Sequence, residues 1–112
     1  MLRSPVDSPP ETLLRLLIVD AGLPEPMVNC PVRVGGRVLH ADLGYPQLKI
    51  AIEYEGGYHF DGGHTQARRD VHRWEAMHDA KWRVLRVTAL DLQDPRAFLA
   101  RLAAAIQDAA SR

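Results

Sequence analysis

The sequence predicts a single α/β domain: a mixed central sheet flanked by helices, with elements in the order α-β-β-β-α-β-α. Three observations predict it. Helix-start signals at Ser8–Glu11, His64-Thr65 and Asp94-Pro95 each precede an apolar stripe at helical spacing. Glycine pairs and prolines divide residues 27–55 into three short apolar runs, the pattern of consecutive antiparallel strands. A fourth run, Trp82–Thr88, follows a helix long enough to cross over. It should therefore pair in parallel with an earlier strand, through a right-handed connection.

The first helix reads from Ser8-Pro9-Pro10-Glu11, with Ser8 as N-cap, Pro9 at the first helical position and Glu11 completing a capping box. Leu13, Leu14, Leu17, Ile18 and Ala21 form its stripe, and Gly22 stops it as a left-handed C-cap with Leu23 folding back. Pro24-Glu25-Pro26 cannot be helical. Met27–Val34 reads as a strand, placed at an edge by Pro31. Gly35-Gly36 turns a hairpin into Arg37–Tyr45. A Pro46-Gln47 corner leads into Leu48–Glu55, and Gly56–Gly63 is a glycine-rich connection without nucleotide-binding spacing. The next helix should run to about Ala80 on an inner stripe of Ala67, Val71, Trp74 and His78 or Met77. The last helix should bury Phe98, Leu99, Leu102, Ala103 and Ile106.

At 112 residues the chain is one domain, 1–112, with residues 1–7 a loose lead-in, and it is long enough to build a core without disulfides. Hydrophobic content of 46% and charged content of 25% exclude disordered and membrane-embedded classes. No apolar run reaches the roughly 18 residues of a membrane span, and the N-terminus lacks a signal-peptide pattern. The single cysteine, Cys30, fits a reducing cytoplasm, where it fills space on a strand. Net charge is zero, yet it is segregated. Residues 42–61 carry four acids and one base, and residues 65–88 carry six bases and three acids. An acidic centre beside a basic band suits a metal-dependent enzyme acting on a polyanion; two solvated faces give the same count.

The third strand carries the chemistry. Ile50, Ala51, Ile52 and Tyr54 make it apolar on both faces, and Glu53 and Glu55 interrupt that pattern at its end. The two acids share a face, about 6.6–6.8 Å apart along the strand. Ionised carboxylates on a buried strand are costly unless a cation compensates them. With Pro46-Gln47 as the corner, residue i opposes 93 minus i, so Asp42 faces Ala51 and Glu53 is its diagonal neighbour, within about 7–8 Å. One face then reads Leu39, Ala41, Leu43, Tyr45, Leu48, Ile50, Ile52 and Tyr54, a core. The other reads His40, Asp42, Gly44, Lys49, Ala51, Glu53 and Glu55. Three converging carboxylates, Asp42, Glu53 and Glu55, suit a hard divalent cation, Mg²⁺ above all, with Mn²⁺ as a substitute. His59, four residues on, reads either as a general base or phosphate contact or as a solvated loop histidine. Gln66, Asp70 and Arg73 share a helix edge, where Gln66 would approach the carboxylates and Arg69 or Arg73 would grip a nucleic-acid backbone. The plain alternative is an Asp70–Arg73 pair on a wet face.

This ordered set resembles the PD-(D/E)xK nuclease superfamily, the restriction-endonuclease-like fold. It is most similar to the bacterial domains of unknown function grouped with the very-short-patch-repair endonuclease. The residues that carry the likeness are Ser8 to Glu11, Asp42, Ile52 to Gly56, His59, Arg69 to Arg73 and Trp82 to Thr88. The resemblance implies a Mg²⁺-dependent DNA endonuclease in which Asp42 is the metal-binding Asp and Glu53 the acid of the D/E-x-K motif. It implies that Glu11 matches a helix-one acid that joins the site in several branches. Glu55 stands where many members place the catalytic lysine. It would add a metal ligand and leave water activation to the metal, with Lys49 as a candidate relocated base. The resemblance also implies DNA as partner, a homodimer for cutting both strands, and fusion to or partnership with an antitoxin-type helix-turn-helix. The alternative is a catalytically inactive nuclease-like module that binds DNA or docks a partner.

Overall fold

The computed structural model describes residues 9–55 and 63–112, with residues 63–70 as backbone. The elements are α1 (Pro10–Asp20), β1 (Met27–Val34), β2 (Arg37–Tyr45), β3 (Ile50–Glu55), α2 (Gly63–Asp79), β4 (Arg83–Thr88), α3 (Ala89–Gln93) and α4 (Arg96–Ala110). The fold is α/β, with a four-stranded mixed sheet in the order β1-β2-β3-β4. β1, β2 and β3 pair antiparallel, and β4 pairs in parallel with β3. Pro31 accordingly lies on an edge strand, where its missing N–H costs no ladder bond.

Two helix ends follow from their residues. Gly22 takes φ +83°, the Leu23 N–H bonds the Ile18 carbonyl and the Gly22 N–H bonds that of Val19. This is a Schellman motif, open to glycine because it lacks a Cβ. At the other end Pro9 is the N-cap and Pro10 stands at the first helical position, one residue later than expected, with no side-chain cap. The expected Ser8 cap lies outside the described residues. α3 is additional to the expected elements. Thr88 and Asp91 form a capping box that folds Ala89–Gln93 into one short helix before Pro95, and that T-x-x-D spacing was visible in the sequence.

Each sheet face has its own core. α1 and α4 cover one, where Leu14, Ile18, Leu43, Tyr45, Ile50, Ile52, Leu85, Val87, Phe98 and Leu102 pack together. α2 covers the other, with Cys30, Val32, Val34, Ala41, Ala51, Met77 and Trp82. Each large side chain fully buried in these layers contributes about 1.5–3 kcal/mol. Cys30 is buried and free, as expected of a filler. The expected assignment of Leu39 and Ala41 to the same face as Leu43 and Tyr45 is corrected. Leu39 and Ala41 pack on the α2 side, whereas Leu43 and Tyr45 face α1 and α4. Residues two apart share a face only in a regular strand, so the alternation of β2 slips at Asp42. Beside it on β1, between the partners of Leu43 and Ala41, Asn29 takes φ +54°.

The α2 stripe is corrected in part: Met77 is the one of its two alternatives that holds, Trp74 is half-buried, and the side chain of Ala67 lies outside the described residues. Met77 is fully buried and Ala76 and Ala80 pack beside it, while Val71 is 46% exposed and His78 is exposed. The helix is rotated from the orientation its apolar residues suggest, so that Arg73, Met77 and Ala80 look inward at i, i+4 and i+7. On that side Arg73 meets the buried acid Glu53.

Candidate metal centre

The register brings the acids together more closely than the sequence implied. Leu43 opposes Ile52, Gly44 opposes Ala51 and Tyr45 opposes Ile50, so residue i opposes 95 minus i. The corner spans Pro46–Lys49 rather than two residues. Both loop lengths are even, so the faces keep their parity, but Asp42 now lies level with Glu53 instead of Ala51. Pairing between β2 and β3 ends at Leu43 and Ile52, and beyond it each strand is held by its other neighbour, β2 by β1 and β3 by β4.

The carboxylates occupy that fork. Asp42 Oδ2 accepts the Tyr54 N–H at 2.8 Å, and Glu53 Oε2 accepts the Asp42 N–H at 3.2 Å. Glu53 Oε1 accepts Arg73 Nε–H at 2.5 Å, and Arg73 Nη2 donates to the His40 carbonyl. Arg73 thus stitches α2 to both parting strands. Glu53 is 6% exposed and is the charged member of the buried set. Burial pushes its pKa up, against the lowering by Arg73 and by the Asp42 N–H, and the Asp42 charge adds to the rise. The cost foreseen for an acid on a buried strand is therefore met by an arginine from the facing helix.

The expected cluster of three is not formed. Glu55 turns to Arg86, with Oε2 3.5 Å from Nε, and among the described residues no three His, Cys, Asp or Glu side chains come together as a metal cage. Arg86 in turn lies over the Trp74 ring at 4.2 Å from its centroid. It is the register partner of Glu53 on β4, so the face carries acid and base in alternation: Arg73, Glu53, Arg86, Glu55. In the sequence Arg86 belongs only to the basic band; its parallel pairing to Glu53 is given by the fold alone.

The donor chemistry still fits a hard cation. Asp42 and Glu53 offer two carboxylates with lone pairs beyond those given to backbone N–H groups. Mg²⁺ is commonly held by one or two carboxylates, the rest of its octahedron being water and substrate phosphate. The Arg73 guanidinium already stands against Glu53 as a cation.

The other expected residues are placed elsewhere. Lys49 is exposed in the corner, with φ +55°, and its carbonyl accepts the Arg83 N–H at the opposite end of β3 from Glu53. It is not on the acid face of a strand, because the longer corner removes it from the ladder. Glu11 is half-buried on α1, whose stripe packs on the far face of the sheet; among the described residues no hydrogen bond joins it to Asp42 or Glu53. Arg73, expected to grip a nucleic acid or pair with Asp70, turns inward to Glu53. His59 and the side chains of Gln66, Arg69 and Asp70 lie outside the described residues.

Fold and site together define a small α/β domain whose parting strands bring two acids together, one of them, Glu53, paired with an arginine. No family model matches the chain, and no solved structure matches it. An uncharacterized protein of Mycobacterium tuberculosis, in strains CDC 1551 and H37Rv alike, is 29% identical over 99 residues. The match covers 87% of this chain and 36% of the relative, so the chain spans about a third of the length of the curated relatives it matches.

Proposed function

We propose that the domain is a Mg²⁺-dependent DNA endonuclease of the PD-(D/E)xK type, hydrolysing phosphodiester bonds. The observation that carries the reading is the meeting of Asp42 and Glu53 where β2 and β3 part, in hydrogen-bond contact through the Asp42 backbone. Asp42 and Glu53 present oxygens to the cation, with the Tyr54 N–H fixing the Asp42 carboxylate and the Asp42 N–H fixing that of Glu53. A bound Mg²⁺ would acidify a water and neutralise charge on the phosphate. Arg86, half exposed beside the acids, is the described cation placed to meet a flanking phosphate. DNA as partner, a cytoplasmic location, a homodimer and a helix-turn-helix companion belong to the same reading. Among the described residues no helix is long and apolar enough to cross a membrane.

A second reading, a catalytically silent module that binds DNA or docks a partner, is favoured by one observation. Asp42 and Glu53 both accept backbone N–H groups where the ladder ends, and Glu53 has its arginine, so each acid has a structural task. Nicking of supercoiled plasmid with Mg²⁺ or Mn²⁺ separates the two. The endonuclease reading expects nicking that Asp42→Ala abolishes; metal binding without cleavage of any DNA form would refute it. Absence of both binding heat and a Mg²⁺-dependent rise in melting temperature would support the silent module.

A further inference from the structure

The inward turn of Arg73 gives Glu53 a partner before any metal arrives. Arg73 is a charged member of an otherwise apolar inner stripe with Ala76, Met77 and Ala80. Its guanidinium bonds both parting strands at once, Glu53 on β3 and the His40 carbonyl on β2. We propose that Arg73 is the resident counter-cation of the Asp42–Glu53 pair, and that a divalent ion and the guanidinium compete for Glu53 Oε1, so that metal binding releases Arg73 to the surface. The inference rests on the metal-dependent reading above.

Charge and exposure support the exchange. Two carboxylates and one guanidinium sum to −1; a divalent ion in place of the guanidinium brings the pair to zero, whereas both cations together give +1. The Arg73 side chain is 29% exposed and the Glu53 side chain 8%, so the arginine has a short way out while the carboxylate stays. His40 is exposed, so its carbonyl can exchange the lost bond for water. Once released, the guanidinium sits at the rim of the acid pair, where a bidentate donor suits a phosphate. The same residue would thus hold the empty site together and then help hold the substrate.

Calorimetric titration of Mg²⁺ and Mn²⁺ into wild type, Arg73→Met and Asp42→Asn tests the exchange, with melting curves confirming that each variant is folded at the titration temperature. Removing a competitor raises apparent affinity by the fraction of sites it had closed. Arg73→Met should therefore bind metal about tenfold more tightly than wild type or better, and Asp42→Asn should bind none. In wild type, the Arg73 Nε–H resonance should be protected from solvent exchange without metal and move to the free-arginine position on titration. Unchanged or weaker metal binding by Arg73→Met, with Asp42-dependent binding intact, overturns the exchange and leaves the metal centre standing. An unmoved Arg73 resonance at metal saturation does the same. Asp42-independent binding, or no binding, in both wild type and Arg73→Met removes the metal centre itself and the exchange with it.

Discussion

Replacing Arg73 by methionine exposes what holds the fork between β2 and β3. The substitution keeps much of the aliphatic stem that packs beside Met77 but deletes the guanidinium, leaving a 6%-exposed Glu53 with, among the described residues, only the Asp42 N–H. Breaking a buried pair from one side costs about 3–5 kcal/mol. Because the Arg73 side chain is 29% exposed, water screens part of the attraction, and the lower end, about 3 kcal/mol at pH 7.5, is expected. For a domain of this size that is roughly 12 °C in melting temperature. The loss must depend on pH with a definite sign. Burial already raises the Glu53 pKa above its ordinary 4.5, and Arg73 is the largest influence lowering it, so the variant raises it further. A carboxyl whose pKa is higher folded than unfolded contributes stability below 4.5 that is lost as pH rises through the folded value. The Arg73→Met penalty should therefore be largest near neutrality and shrink as pH falls toward 4.5. Urea denaturation at pH 5 and 7.5 measures it, and adding Glu53→Gln to Arg73→Met should recover most of the loss at pH 7.5. A penalty below about 0.5 kcal/mol at pH 7.5, or one equal at both pH values, would show that the pair behaves as an exposed ion pair and refute the argument.

Asp42→Asn should leave stability unchanged or slightly raised in thermal melts, because the amide oxygen keeps the Tyr54 N–H bond while one of two neighbouring negative charges disappears; a loss above about 1 kcal/mol would mean the carboxylate charge itself is needed. A Cβ at Gly44 would lie 2.8 Å from Cys30 Sγ and 2.9 Å from the Ile50 carbonyl oxygen. Gly44→Ala should therefore cost about 1–3 kcal/mol in urea melts, and a neutral result would mean β1 yields freely. Tyr45→Phe removes a 2.6 Å bond from the phenol to the Pro24 carbonyl and should cost about 1 kcal/mol. Ultraviolet titration of wild type minus this variant should place the buried phenol at about 12, and a midpoint near 10 would contradict its burial.

The elements and the order of strands were readable because each rests on local chemistry. Gly22 needed its positive φ, Gly35-Gly36 its two-residue turn, and Pro31 an edge strand. Helical and strand periodicities placed Phe98, Leu102, Ile50 and Ile52 in the core. The need of these acids for counter-charge was readable as well, since a strand with acids at Glu53 and Glu55 amid apolar neighbours demands a cation. Which cation it obtains was not. Met77, Val71 and Trp74 offer two competing apolar stripes on α2, and periodicity alone does not choose between them. The helix takes the orientation that buries Met77 and sets Arg73 against Glu53, twenty residues away.

Sequence by itself determined the α/β class, the meander, the crossover to a parallel fourth strand and the location of the acids at the end of the third. Those depend on backbone propensities and spacing within a few residues. Only tertiary structure decided the four-residue corner that removes Lys49 from the acid face, the slip at Asp42, the departure of Glu55 to Arg86 and the inward arginine. The last two are settled by contacts between distant elements, whose energy no local pattern contains: a carboxylate cut off from water selects whichever counter-charge its packed neighbours can deliver.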